Sequence, residues 1–114
     1  MDFTLTPAQL DLQARAEKLG RSFAEEVRGW DESDEAPYRE IFDRVGAEGL
    51  FGIAMPTEYG GQGGGAVEYL IVVEALFRHA QSWLPPEPVF CTSGPGPSMF
   101  LLGDDAVKEK YLHD

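Results

Sequence analysis

Gly61-Gln62-Gly63-Gly64-Gly65-Ala66 carries the spacing G-x-G-x-x-G/A, in which glycine amides cradle a pyrophosphate at the start of a helix. With Gly60 it places five glycines within Gly60–Gly65. Such a cradle needs a tight strand-to-helix turn and a second parallel strand carrying an acid for the ribose. Here Met55-Pro56-Thr57-Glu58-Tyr59 stands between the apolar run from Leu50 and the glycines. Where the second strand should follow, the chain reads Gln81-Ser82-Trp83-Leu84-Pro85-Pro86. No Lys-Ser/Thr pair follows the glycines, so a P-loop is also excluded. The glycines read as a structural corner.

Other residue types with chemical potential are sparser. Glu25 with Glu26, and Asp104 with Asp105, are adjacent carboxylates. Neighbours on a helix diverge by about 100° and do not converge on one bond, so caps and solvated faces explain both pairs. His79 and Cys91 would make a nucleophile pair only with a third, orienting group, and none is evident. His79 and His113 lack ligand-spaced partners, so no metal site is expected. Glu87 stands among prolines in an apolar stretch, where it reads as an exposed loop acid or a pocket-lining one. These residues make no self-sufficient catalytic site.

The elements that position them are helical throughout. Thr6-Pro7-Ala8-Gln9 combines a cap, a first-turn proline and a capping-box glutamine. Leu12, Ala16, Leu19, Phe23, Val27 and Trp30 then form one apolar stripe, which predicts a helix of about six turns, with Gly20 its one weak point. Asp31–Glu35 reads as an acidic connector. Pro37 opens a second helix with Tyr38, Ile41, Phe42 and Val45 on its inner side. Ala66 to about Ala80 is apolar nearly all round and reads as the central, buried helix. Between Leu84 and Pro97 lie five of the eight prolines, and the run Ser93–Pro97 cannot sustain an unbroken helix. Ser98–Leu102 resumes a helical turn, and Asp104 or Asp105 caps a last helix with Val107, Lys108 and Tyr111. No strand alternation or internal repeat is present. The expected fold is all-α, a small up-down or orthogonal bundle of about five helices with a Gly-rich loop.

Composition narrows the function class. The 114 residues carry 20 acids against nine bases, a formal charge of −11, which repels nucleic acid and disfavours an anionic membrane surface. A single cysteine excludes an internal disulfide and suits a reducing compartment. The N-terminus lacks a signal-peptide pattern, and the longest apolar stretch, Tyr69–Phe77, falls short of a membrane span. Cytoplasmic localisation without membrane insertion is the expectation.

The order of features resembles the N-terminal helical domain of the FAD-dependent acyl-CoA dehydrogenases over essentially the whole chain. FTLTPAQLDLQARAEKLGRSFAEEV resembles the family's opening helix. WDESDEAPYREIFDRVGAEGLFGIAMPTEYGGQGGG resembles its D-x-x-x-x-x-P…G-L-x-G-x-x-x-P-x-E-Y-G-G-x-G signature, and LLGDDAVKEKYL its closing G-x-x-x-x-K-x-x-Y-L segment. The resemblance implies a subunit of three domains, the others being a β-domain and a C-terminal bundle. It implies an oxidoreductase in which a glutamate takes the acyl α-proton while the β-hydrogen leaves as hydride to the flavin. It further implies FAD, an acyl-CoA substrate, an electron-transfer partner and a homo- or hetero-oligomer.

In that family the N-terminal domain supplies one wall of the acyl pocket, which places Glu87, Phe90, Cys91 and Gly94 as substrate-facing candidates. LPPEP and SGPGP depart from the straight-chain pattern and resemble variants for bulkier acyl groups or subunits of hetero-oligomeric dehydrogenases. The family's T-E-P-x-x-G-S-D flavin segment and catalytic glutamate have no counterpart in the sequence, so no catalytic or FAD-binding residue is expected in it. The chain is thus read as a fragment of the enzyme. The alternative is a stand-alone acidic helical interaction module.

Overall fold

The computed structural model describes residues 3–93, 98 and 101–112. Its helices are α1 (Pro7–Ser33), α2 (Tyr38–Ala47), α3 (Ala66–Ala80), α4 (Glu87–Ser93) and α5 (Asp105–Tyr111). A 3-10 turn covers Thr57–Tyr59, and no strand occurs among the described residues. The fold is all-α, as the sequence implies.

α1 begins where its signals place it. Thr6 Oγ1 accepts from the Gln9 amide at 3.2 Å, and the Gln9 side chain accepts from the Thr6 amide at 2.9 Å. Its far end departs from expectation, because the helix runs through Asp31, Glu32 and Ser33 and ends at Asp34 in left-handed backbone. The acidic segment is therefore largely helix rather than connector. Leu12, Ala16, Leu19, Phe23 and Val27 are buried along the inner stripe, and Trp30 is half-buried against the core.

α1 packs chiefly on α3. Gly20 sits at the closest approach: a Cβ there would lie 3.0 Å from His79 Cβ and 3.1 Å from the Leu76 carbonyl oxygen. What the sequence presents as a weak point is the crossing itself. α3 is not buried all round. It buries Ile71, Val72, Ala75, Leu76 and Ala80, and leaves Val67, Leu70 and Phe77 about half exposed. Among the described residues nothing covers its second face. Tyr38 is likewise exposed, whereas Ile41 and Val45 of α2 are buried.

Arg44 joins α2 to α1. Its guanidinium lies 3.7 Å from the Phe23 ring centroid, donates to Glu26 at 2.9 Å and reaches the Ser22 hydroxyl at 3.0 Å. Between α2 and α3 the chain folds into the glycine corner, which buries Leu50, Ile53 and Met55. At Gly61 the backbone passes so close to Met55 that a Cβ would stand 2.3 Å from the Met55 oxygen. Only glycine fits there.

Candidate functional site

The six amides from Gly60 to Gly65 all point inward. Gly60 donates to Thr57, Gly61 to Pro56, Gln62 to Gly52, Gly63 to Met55 and Gly64 to Ile53, each a backbone carbonyl at 2.8–3.1 Å. The Gly65 amide donates to Glu68 Oε2 at 2.9 Å. A phosphate would have to displace a complete set of internal bonds, so the corner is not a cradle. Glu68 also occupies the start of α3, where an anion would otherwise bind. The hydrogen bond from Gln9 (2.7 Å) and then the Gly65 amide hold its carboxyl below the usual carboxylate range. These residues do not fit a flavin.

Glu26, Asp104 and His79 have structural partners as well. Glu26 pairs with Arg44, and Asp104 caps α5 by accepting from the Val107 amide at 2.9 Å. His79 faces α1, with Nδ1 3.4 Å from Arg21 Nη1 and Nε2 3.7 Å from Glu17 Oε2. Its ring is turned to that pair and not to Cys91. Among the described residues no group of His, Cys, Asp or Glu is placed to hold a metal. No helix among them is long and apolar enough to cross a membrane.

The proline-rich stretch folds differently from its sequence reading. Pro85 and Pro86 are buried, and α4 starts directly after them with Glu87 and Pro88 in its first turn. Proline is tolerated there because first-turn amides have no intrahelical partner. Glu87 is therefore a helical residue, half-buried, with its charge favourably placed near the positive end of the helix. Phe90 and Cys91 follow at i+3 and i+4, so the three share one face, and both are exposed. Gly94 lies outside the described residues, as do Gly94–Pro97 of the SGPGP run.

Two features of this face carried no signal of their own in the sequence. Phe77, Trp83 and Phe90 form a chain of ring contacts, 6.1 Å from Phe77 to Trp83 and 6.3 Å from Trp83 to Phe90. All three rings are about half exposed. Thr92 links the face to the glycine corner: its hydroxyl donates to the Pro88 carbonyl at 2.9 Å and accepts from the Gly52 amide at 3.4 Å. The corner thereby helps set the position of α4.

Comparison with known proteins agrees with this architecture. The sequence model described as "Acyl-CoA dehydrogenase, N-terminal domain" matches residues 6–114. A 3-sulfinopropanoyl-CoA desulfinase of Cupriavidus necator is 37% identical over 77 residues, 67% of this chain and 19% of the relative. An acyl-CoA dehydrogenase of Mycobacterium tuberculosis is 30% identical over 115 residues, 98% of this chain and 29% of the relative. The caffeyl-CoA reductase-Etf complex subunit CarC of Acetobacterium woodii is 35% identical over 103 residues, 83% of this chain and 26% of the relative. The chain thus spans between 19% and 29% of the length of these relatives. No solved structure matches it. With the all-helical fold, the corner and a match reaching from the α1 cap to Asp114, the chain belongs to the acyl-CoA dehydrogenase family, as its N-terminal domain.

Proposed function

We propose that the chain serves an enzyme carrying out FAD-dependent α,β-dehydrogenation of an acyl-CoA thioester, and that the α4 face forms part of the acyl pocket. The carrying observation is that Glu87, Phe90 and Cys91 share one face of a short helix, with Phe90 and Cys91 exposed and adjoining further exposed rings. Phe90 offers apolar surface to an acyl chain, Cys91 a small polarisable one, and Glu87 a charge at the rim. Gly94, outside the described residues, is kept as a fourth substrate-facing candidate on the family resemblance alone. The flavin, and the glutamate that takes the α-proton, belong in this reading to the β-domain and C-terminal bundle of the parent subunit.

One relative is by name a subunit of an Etf complex, which supports an electron-transfer partner for the parent enzyme. A homo- or hetero-oligomeric, cytoplasmic parent completes the reading. The relatives' names span a dehydrogenase, a reductase and a desulfinase, so this domain is read as shaping the pocket rather than selecting the reaction.

Two measurements test it. The purified 114-residue chain should be colourless and should reduce no artificial electron acceptor with any acyl-CoA. Stoichiometric FAD retained by it alone would overturn the reading. In the full-length enzyme, Phe90→Ala and Cys91→Trp should shift kcat/KM between short and long acyl chains in opposite directions. An unchanged preference in both variants would remove the α4 face from the pocket.

A further inference from the structure

A groove runs between the C-terminal end of α1 and the link from α3 to α4. Its floor is aromatic, with Trp30, Tyr38, Phe77 and Trp83, and its charged groups are Asp31 and Asp34. No lysine or arginine lines it. Tyr38, Phe77 and Trp83 are each about half exposed. Among the described residues the acidic segment makes an ion pair only through Glu32, with Arg28 at 3.5 Å on open surface.

The acids stand where helix energetics disfavour them. α1 ends on Asp31 and Glu32 with Asp34 as its cap, and its last turn carries no base. The carbonyl end of a helix is the negative pole of its dipole and favours cations. Stability alone does not explain this placement, and an incoming cation would relieve it.

From these observations we propose that the groove is a docking site for an arginine-bearing segment of a protein partner. A guanidinium stacks flat on aromatic rings and pairs with carboxylates through a planar fork, whereas an ammonium is more strongly hydrated and makes no such plane. Two acids and no base in the lining favour a basic partner in this groove over the same groove of a second copy. Trp83 borders both this groove and the α4 face assigned to the acyl group, but the docking does not rest on that assignment.

Both tryptophans of the chain line the groove, so their emission reports on it. The peptide acetyl-Leu-Arg-Leu-amide should change the emission of the 114-residue chain saturably. Its citrulline counterpart, which keeps the shape and loses the charge, should bind about tenfold more weakly. The double change Asp31→Asn, Asp34→Asn should cost a similar factor while raising Tm, since Asn tolerates the left-handed cap and the dipole conflict is removed. Neutralising Glu25 and Glu58 to Gln, a matched charge loss outside the groove, should leave affinity unchanged. Equal affinity for the two peptides, no saturable response, or equal weakening by both double variants would each overturn the proposal.

Discussion

A Cβ at Gly61 would lie 2.3 Å from the Met55 oxygen and 2.5 Å from the Met55 carbon, and both belong to backbone tied into the corner. Nothing there can move aside as a flexible side chain would. Gly61→Ala should therefore destabilise the fold by about 3 kcal/mol or more, read as a lowered urea midpoint. Glu68 makes a pH-dependent contribution. Because its carboxyl is held below the ordinary value of 4.5, its stabilisation is full above that value and is lost as pH falls through the depressed one. Glu68→Ala should cost about 1 kcal/mol at neutral pH, the size of a helix cap. The gap between variant and wild type should close in acid, and a gap independent of pH would refute a stabilising role for the Glu68 bonds to Gln9 and Gly65. Legibility differed among such residues. The Thr6–Gln9 box is written in adjacent letters. The bonds from the Gln62 side-chain amide to the carbonyls of Gly49 and Phe51 join positions that only the folded corner brings together.

Two glycines of α1 separate packing from propensity. Gly20→Ala gains about 1 kcal/mol of intrinsic helix preference but drives a methyl against the carbonyls of Leu76 and Ala75, so its net effect should be destabilising. At Gly29 nothing lies within 4 Å of the new Cβ, and Gly29→Ala should stabilise by about 0.5–1 kcal/mol. Thermal melts of the two variants should move in opposite directions. The bounds of α3 were readable because Gly65 and the Gln81-Ser82 break flank a continuous apolar run. The length of α1 was not, since acidic residues that oppose the helix dipole suggest a connector while tertiary context keeps them helical. Proline misled in the same way at α4. Its position within the first turn, rather than its presence, decides whether a helix forms.

An apolar run in sequence marks α3 as the central helix of a domain too small to cover every side, but cannot report which side is left open. In the folded chain Val67, Leu70, Phe77, Trp83 and Phe90 remain about half exposed, and Leu101 and Leu102 more so. Surface of this kind is covered in a working protein. The 114-residue chain should bind a hydrophobic dye and self-associate with rising concentration, and Leu70→Lys with Phe90→Lys should reduce both. A monodisperse, dye-silent wild type would contradict that. The family assignment depended least on such burial, because the corner and its flanking helices are specified locally. The corner also has a consequence for solvent exchange. Gly61–Gly65 form no helix or strand, yet every amide from Gly60 to Gly65 donates within the protein, over a layer of buried Leu50, Ile53 and Met55. In deuterated water this segment should exchange as slowly as the inner amides of α3 and lose protection together with them, opening as part of the core rather than as a loop.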